Sequence, residues 1–138
     1  MSNSLKRKAE NILELLDRLA AASDEGIPII VEGQKDVDTL RKLDIRGSIV
    51  TAKTYGKSLL DVVDEVSGRK LTEVILLMDF DRRGKEWVKR LTQHLEKTGI
   101  KPNLYFWRTL LSFVGRDVKD IEGLASYMQT LQEKIGNS

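Results

Sequence analysis

Val74-Ile75-Leu76-Leu77-Met78-Asp79-Phe80-Asp81-Arg82-Arg83-Gly84 is the stretch that decides the fold. Five apolar residues stand in a row, and the run breaks at an acid. A strand that is apolar at every position is covered on both faces. Beyond it the period changes. Trp87, Val88, Leu91 and Leu95 recur at helical spacing, and Gly99 stops the pattern. One strand followed by one helix is half of a βαβ unit.

The same grammar repeats on either side. Upstream, Ile27-Pro28-Ile29-Ile30-Val31 ends at Glu32-Gly33, and a polar, helix-like stretch runs from Lys35 to Leu43. Ser48-Ile49-Val50-Thr51 is the second short run, followed by a helix carrying Leu59, Leu60, Val62, Val63 and Val66. Downstream, Leu104-Tyr105-Phe106-Trp107 reads as the fourth strand. Ile121, Leu124, Ala125, Met128, Leu131 and Ile135 mark a final amphipathic helix. Short apolar runs alternating with helices predict a three-layer α/β domain on a mainly parallel, four-stranded sheet. Before it, Leu5 to Ala22 forms a further helix, with Ser4 as its N-cap. Its stripe of Leu5, Ala9, Ile12, Leu13, Leu16, Leu19 and Ala20 is free to pack on the domain, on a protein partner or on a second copy.

Composition removes whole classes of chemistry. The chain has 138 residues, enough for one domain with a real core. It has no cysteine, which excludes disulfides, thiol nucleophiles and Cys-based zinc sites, and His94 is its one histidine. No apolar run approaches the roughly 20 residues of a membrane span, and Met1 to Lys8 lacks the apolar segment of a secretory signal. A cytoplasmic protein with no membrane partner is expected. Lys+Arg 23 against Asp+Glu 21 gives a net charge of +2, so any affinity for nucleic acid must come from local clustering.

The chemistry gathers where strands end, because ligands of open α/β sheets bind at the carboxyl ends of the strands. Glu32 ends the first strand, with Asp36 one turn later. Asp79 and Asp81 end the third, and on extended backbone residues two apart point to the same side. Carboxylates converging without His or Cys make a hard, oxygen-rich site of the kind that suits Mg²⁺ or Mn²⁺. Asp81 is also placed to cap the helix that starts near Arg82. Like charges held together destabilise a fold unless something compensates them.

Val31-Glu32-Gly33, Asp36 and Asp79-x-Asp81-x-x-Gly84, in this order and each at a strand end, resemble the Toprim domain. That is the catalytic domain shared by topoisomerases, bacterial primases, old-family nucleases and a bacterial maturase of 5S ribosomal RNA. The resemblance runs from about Pro28 to Trp107. The continuation Lys119-Asp120-Ile121-Glu122-Gly123-Leu124-Ala125-Ser126 is similar to small, stand-alone archaeal Toprim proteins and to the end of the maturase's Toprim region. The resemblance implies a three-layer, Rossmann-like Toprim fold. Residues 1–25 are then an N-terminal amphipathic helix, and residues 26–135 the Toprim domain with its C-terminal helix. It implies that Glu32 is a catalytic acid or base that helps hold metal. It also implies that Asp79 and Asp81 bind Mg²⁺ (or Mn²⁺), and that Gly33 and Gly84 let backbone approach the site. Asp36 supports the metal or caps its helix. One departure is plain: many relatives carry lysine directly after Glu-Gly, where this chain has Gln34 and then Lys35.

Basic residues border the same edge. Lys35, Lys53, Lys57, Arg82, Arg83, Lys85, Arg108, Arg116 and Lys119 are the candidate nucleic-acid contacts, a positive rim around an acidic centre. Gly56-Lys57-Ser58 is not a P-loop, since Thr51 stands where that motif needs glycine. Tyr55 has no separate domain to act from, and Tyr105, Phe106 and Trp107 read as core. Together with the resemblance, these features predict a metal-dependent enzyme acting on nucleic-acid phosphodiester bonds, foremost a nuclease in RNA processing with RNA favoured over DNA. The alternative is a nucleic-acid-binding or adaptor module of a larger RNA-processing or replication assembly, with little catalysis of its own.

Overall fold

The computed structural model describes residues 2–53, 61 and 72–136. The helix expected after the second strand, and Lys57 and Tyr55 with it, lie outside the described residues. Strands β1 (Ile29–Val31), β2 (Ile49–Thr51), β3 (Glu73–Leu76) and β4 (Lys101–Asn103) form one sheet in the order β2-β1-β3-β4. Every pairing is parallel, with Ile29 opposite both Ile49 and Ile75, and Val74 opposite Pro102. The two central strands are the most apolar, and Ile29, Ile30, Val31, Val74, Ile75 and Leu76 are fully buried. Burial on both faces is what their unbroken apolar runs require.

Helices α1 (Ser2–Asp24), α2 (Gln34–Lys42), α3 (Arg82–Lys97), α4 (Tyr105–Val114) and α5 (Ile121–Gly136) cover the sheet. α1 packs on α4 and α5, α2 packs on α5, and α3 packs on β4. None of the described helices is long and apolar enough to cross a membrane. α1 and α3 reverse into the strands that follow through the same cap. Ile27 N–H reaches back to Ala22 O (3.3 Å) and Ile100 N–H to Leu95 O (3.0 Å). Gly26 and Gly99 supply the positive φ each turn requires, 98° and 78°.

Three expectations are corrected. The fourth strand is Lys101–Asn103, and Leu104-Tyr105-Phe106-Trp107 opens a helix instead. Aromatic residues favour strands by propensity, but here a local bond and a longer period win. The Asn103 side-chain oxygen accepts the Tyr105 N–H at 3.0 Å, Arg108 N–H bonds Leu104 O at 2.9 Å, and Phe106, Trp107, Leu110 and Val114 face the core. β4 is a sheet edge, where Pro102 is tolerated. The second correction is the start of α1 at Ser2, so Ser4 lies inside the helix and is not its cap. The third concerns the stripe itself. Ala9, Ile12, Leu15, Leu16 and Leu19 are buried within the chain, whereas Leu13 is 40% exposed. That apolar face packs internally, against α4 and α5, the first of the three placements the sequence left open.

Leu19→Ala is therefore expected to cost about 3 kcal/mol of unfolding free energy, as a core truncation does. Urea titration followed by circular dichroism checks it. A loss below about 1 kcal/mol would show that α1 is dispensable to the core.

Candidate functional site

Glu32 leaves the end of β1 and is only 3% exposed. A buried carboxylate needs partners, and Glu32 takes them from both neighbouring strands. Its Oε2 accepts the Asp79 N–H at 2.8 Å, just beyond β3. Its Oε1 lies 2.7 Å from Lys53 Nζ, just beyond β2, and its carbonyl accepts the Lys53 N–H at 2.7 Å. Three strand ends meet on one side chain.

A pocket of about 250 Å³ opens over it, lined by Glu32, Gly33, Gln34, Lys35, Asp36, Lys53, Asp79, Asp120 and Glu122. Asp36 takes the capping role the sequence offered it. It sits in this pocket, and its Oδ2 accepts the Gly33 N–H at 3.0 Å at the start of α2. Gly33 is extended (φ −148°, ψ −178°), a conformation open to any residue, and a side chain there would meet nothing within 4 Å. No described protein atom crowds Gly33. Its missing side chain leaves space on the pocket wall. Gly84 differs, since a Cβ there would run into the Asp79 carbonyl. The first turn of α3 lies directly against the Asp79 backbone because position 84 is glycine.

Asp79 and Asp81 differ in their contacts. Asp81 is exposed and is the N-cap of α3, its Oδ1 accepting the Gly84 N–H at 2.8 Å, and it does not line the pocket. Asp79 faces Glu32, Asp36 and Asp120 instead. Asp120 and Glu122 are site residues that the sequence reading quoted but did not assign. Asp120 caps α5, accepting the Gly123 N–H at 2.6 Å, and reaches the pocket because the Phe80 N–H bonds the Lys119 carbonyl at 2.6 Å. Its one sequence signal was the acid-rich Asp120-x-Glu122-Gly123 after a loop.

Electrostatics follow from this crowding. Burial first, then the adjoining Glu32 carboxyl, and then Asp36 and Asp120, push Asp79 up to about 8. Burial would raise Glu32 too, but the Asp79 carboxyl, Lys53 and the Asp79 N–H together hold it below its ordinary range. Burial, opposed by the Gly33 N–H, raises Asp36. The pocket therefore sets five carboxyls against two lysines, with Lys53 paired to Glu32 and Asp79 favoured in its protonated form. Among the described residues, no group of three or more acids or histidines is set to hold a metal ion as it stands. The donor chemistry nonetheless fits a hard divalent cation: all-oxygen, in excess of positive charge, with Glu32 Oε1 reachable once Lys53 moves.

The basic residues separate into groups. Lys35 and Lys53 line the acidic pocket. Lys85 and Arg116 border a second depression together with Lys8. Arg108, on α4, faces a third beside β4, so it is not part of the rim of the acidic pocket. Arg82 is fully solvated and lies 3.7 Å from Glu86. Arg83 and Lys119 are exposed.

A parallel α/β sheet with carboxylates gathered at its C-terminal edge matches the family model described as the Toprim domain over residues 27–108, and the chain belongs to that family. Toprim domains are metal-binding modules that act on nucleic acids. The chain is similar along most of its length to small archaeal proteins. The UPF0292 protein of Methanocaldococcus jannaschii is 38% identical over 86% of this chain and 91% of its own length. That of Methanosarcina acetivorans is 35% identical over 96% and 90%. A solved structure of a protein from Aquifex aeolicus superposes with a TM-score of 0.66 at 31% identity, covering 79% of this chain and 94% of that one.

Two outcomes are expected here. Gly84→Ala should destabilise by about 2–3 kcal/mol, since the obstacle is backbone and cannot swing aside; chemical denaturation measures it. The second concerns pH. In metal-free protein Asp79 keeps a proton that the unfolded chain has already released, so stability falls as pH rises from about 4 to about 8. Asp36 adds to that slope, and Glu32 opposes it only at the acid end. Asp79→Asn should flatten the decline in melting temperature measured in EDTA across that window. An unchanged slope would place the proton elsewhere.

Proposed function

We propose that this chain is a divalent-metal-dependent nuclease acting on phosphodiester bonds, with RNA processing as its setting. The observation that carries the reading is the convergence of Glu32, Asp36, Asp79 and Asp120 on one pocket at the C-terminal edge of the sheet. Asp79 and Glu32 would hold Mg²⁺ or Mn²⁺, with Asp81 able to contribute only the carboxylate oxygen its cap leaves over. The ion, when bound, neutralises phosphate charge. Glu32, kept ionised by its contacts with Asp79 and Lys53, is the group placed to take the proton of an attacking water as the new P–O bond forms. The P–O ester bond then breaks, and the leaving oxygen takes a proton from solvent water. Lys35 and Lys53 face the phosphate oxygens from the pocket wall.

The second reading is a binding or adaptor module with little turnover, and the commitment of Asp81 to a helix cap favours it. One experiment separates the two. Purified protein is incubated with end-labelled structured RNA and with DNA, each in Mg²⁺, Mn²⁺ or EDTA. Metal-dependent cleavage is expected, with Glu32→Gln and Asp79→Asn each reduced by about 100-fold or more. Binding without cleavage in any metal would sink the nuclease reading in favour of the module.

A further inference from the structure

All four strands run parallel, so their C-terminal ends share one edge in the order β2, β1, β3, β4. Along that edge stand Lys53, Glu32, Asp79 and, beyond β4, Tyr105. The first three belong to the acidic pocket, and Tyr105 does not. Its side chain is 50% exposed, one of two large apolar groups left at the surface among the described residues. Its ring is nonetheless held in place. The Tyr105 hydroxyl accepts a 3.0 Å hydrogen bond from Arg18 of α1, and the ring meets Phe106 edge-on with centroids 5.4 Å apart.

The ring stands between two depressions. The larger, about 430 Å³, follows the edge strand and is lined by Lys101, Pro102, Asn103 and Arg108 among others. The smaller holds Arg18 and Glu14. Three cations and one acid thus surround an exposed aromatic, and none of the three cations is ion-paired among the described residues. The platform is tied to the acidic pocket. Trp107, two residues on, donates its indole N–H to the carbonyls of Met78 and Asp79 at 3.0 and 3.3 Å. Asn103 anchors the same turn to β3 through Glu73, at 2.8 Å. The first turn of α4 is thus hydrogen-bonded to the residues just beyond β3, and Asn103 before it to the first residue of β3.

We propose that Tyr105 is a base-stacking platform for an unpaired nucleotide adjoining the scissile bond, with Arg18, Lys101 and Arg108 facing its phosphates. The substrate class is then single-stranded or frayed nucleic acid, and the proposal rests on the nuclease reading of the acidic pocket. An aromatic face accepts every base, and cations around it contact backbone without reading sequence.

The test is fluorescence anisotropy in EDTA, so that no cleavage intrudes, with fluorescein-labelled single strands and blunt duplexes of RNA and of DNA. Tyr105→Ala should weaken single-strand binding about tenfold, the size of one lost stack. Tyr105→Phe should stay within about twofold, since the ring and not the hydroxyl makes the contact. An abasic site stepped along the oligonucleotide should, at one position, erase the difference between wild type and Tyr105→Ala. Duplex binding should not respond. Tyr105→Leu, which keeps bulk without a π face, should behave as Tyr105→Ala, and melting temperatures confirm that each variant is folded. The proposal is overturned if Tyr105→Ala binds single strands as wild type does, if Tyr105→Phe loses as much as Tyr105→Ala, or if no abasic position changes the loss. A wild-type chain that binds neither single strand nor duplex in EDTA overturns the platform alone, whereas absence of cleavage in Mg²⁺ and Mn²⁺ overturns the nuclease reading.

Discussion

A single buried carboxylate organises the working edge of this molecule. Glu32 is withdrawn from water at the end of the central strand, and a charge in that position is stable only while its partners stay in place. Those partners are the Asp79 N–H beyond β3 and the Lys53 ammonium beyond β2. Moving either loop would strand the charge. The side chain that defines the site therefore also aligns the three strand ends around it, and the chemistry of the edge is inseparable from its geometry.

Helices at and beyond the ends of the family match complete the site. α5 lies beyond residue 108, yet Asp120 at its start enters the pocket through the Phe80–Lys119 hydrogen bond. Trp107 binds α4 to the backbone of Asp79 from the other side. α1 braces α4 and α5 with a buried stripe. The result is an acidic edge whose repulsion is contained by one lysine, by a retained proton and by packing that prevents the acids from separating.

Much of this was legible in the sequence where one rule dominated. The runs Ile29–Val31 and Val74–Met78 are apolar without interruption, so β1, β3 and the parallel sheet followed from burial on both faces. Glu32, Asp36 and Asp79 followed from the rule that ligand groups sit at carboxyl strand ends. The failures occurred where two rules competed. Tyr105–Trp107 satisfies strand propensity, but the helical period through Val114 and the Asn103 cap prevail. Asp81 satisfies both the strand alternation of Asp79 and the N-cap preference of aspartate, and the cap wins because Gly84 offers its N–H 2.8 Å away. Asp120 was out of reach for a different reason: no local pattern records a hydrogen bond between Phe80 and Lys119. Leu15 in place of Leu13 on the buried face is a matter of which neighbours α1 meets.

Pro102 sits in the strand that closes the sheet on one side. A bare sheet margin is a docking template, a row of donors and acceptors on which a neighbouring chain can lay down a strand of its own. Here the margin is three residues long, and its middle residue has no N–H to offer. A template so short and so interrupted cannot nucleate strand-by-strand growth. On this margin the unbroken apolar strands of the interior are thereby shielded from strand-by-strand pairing.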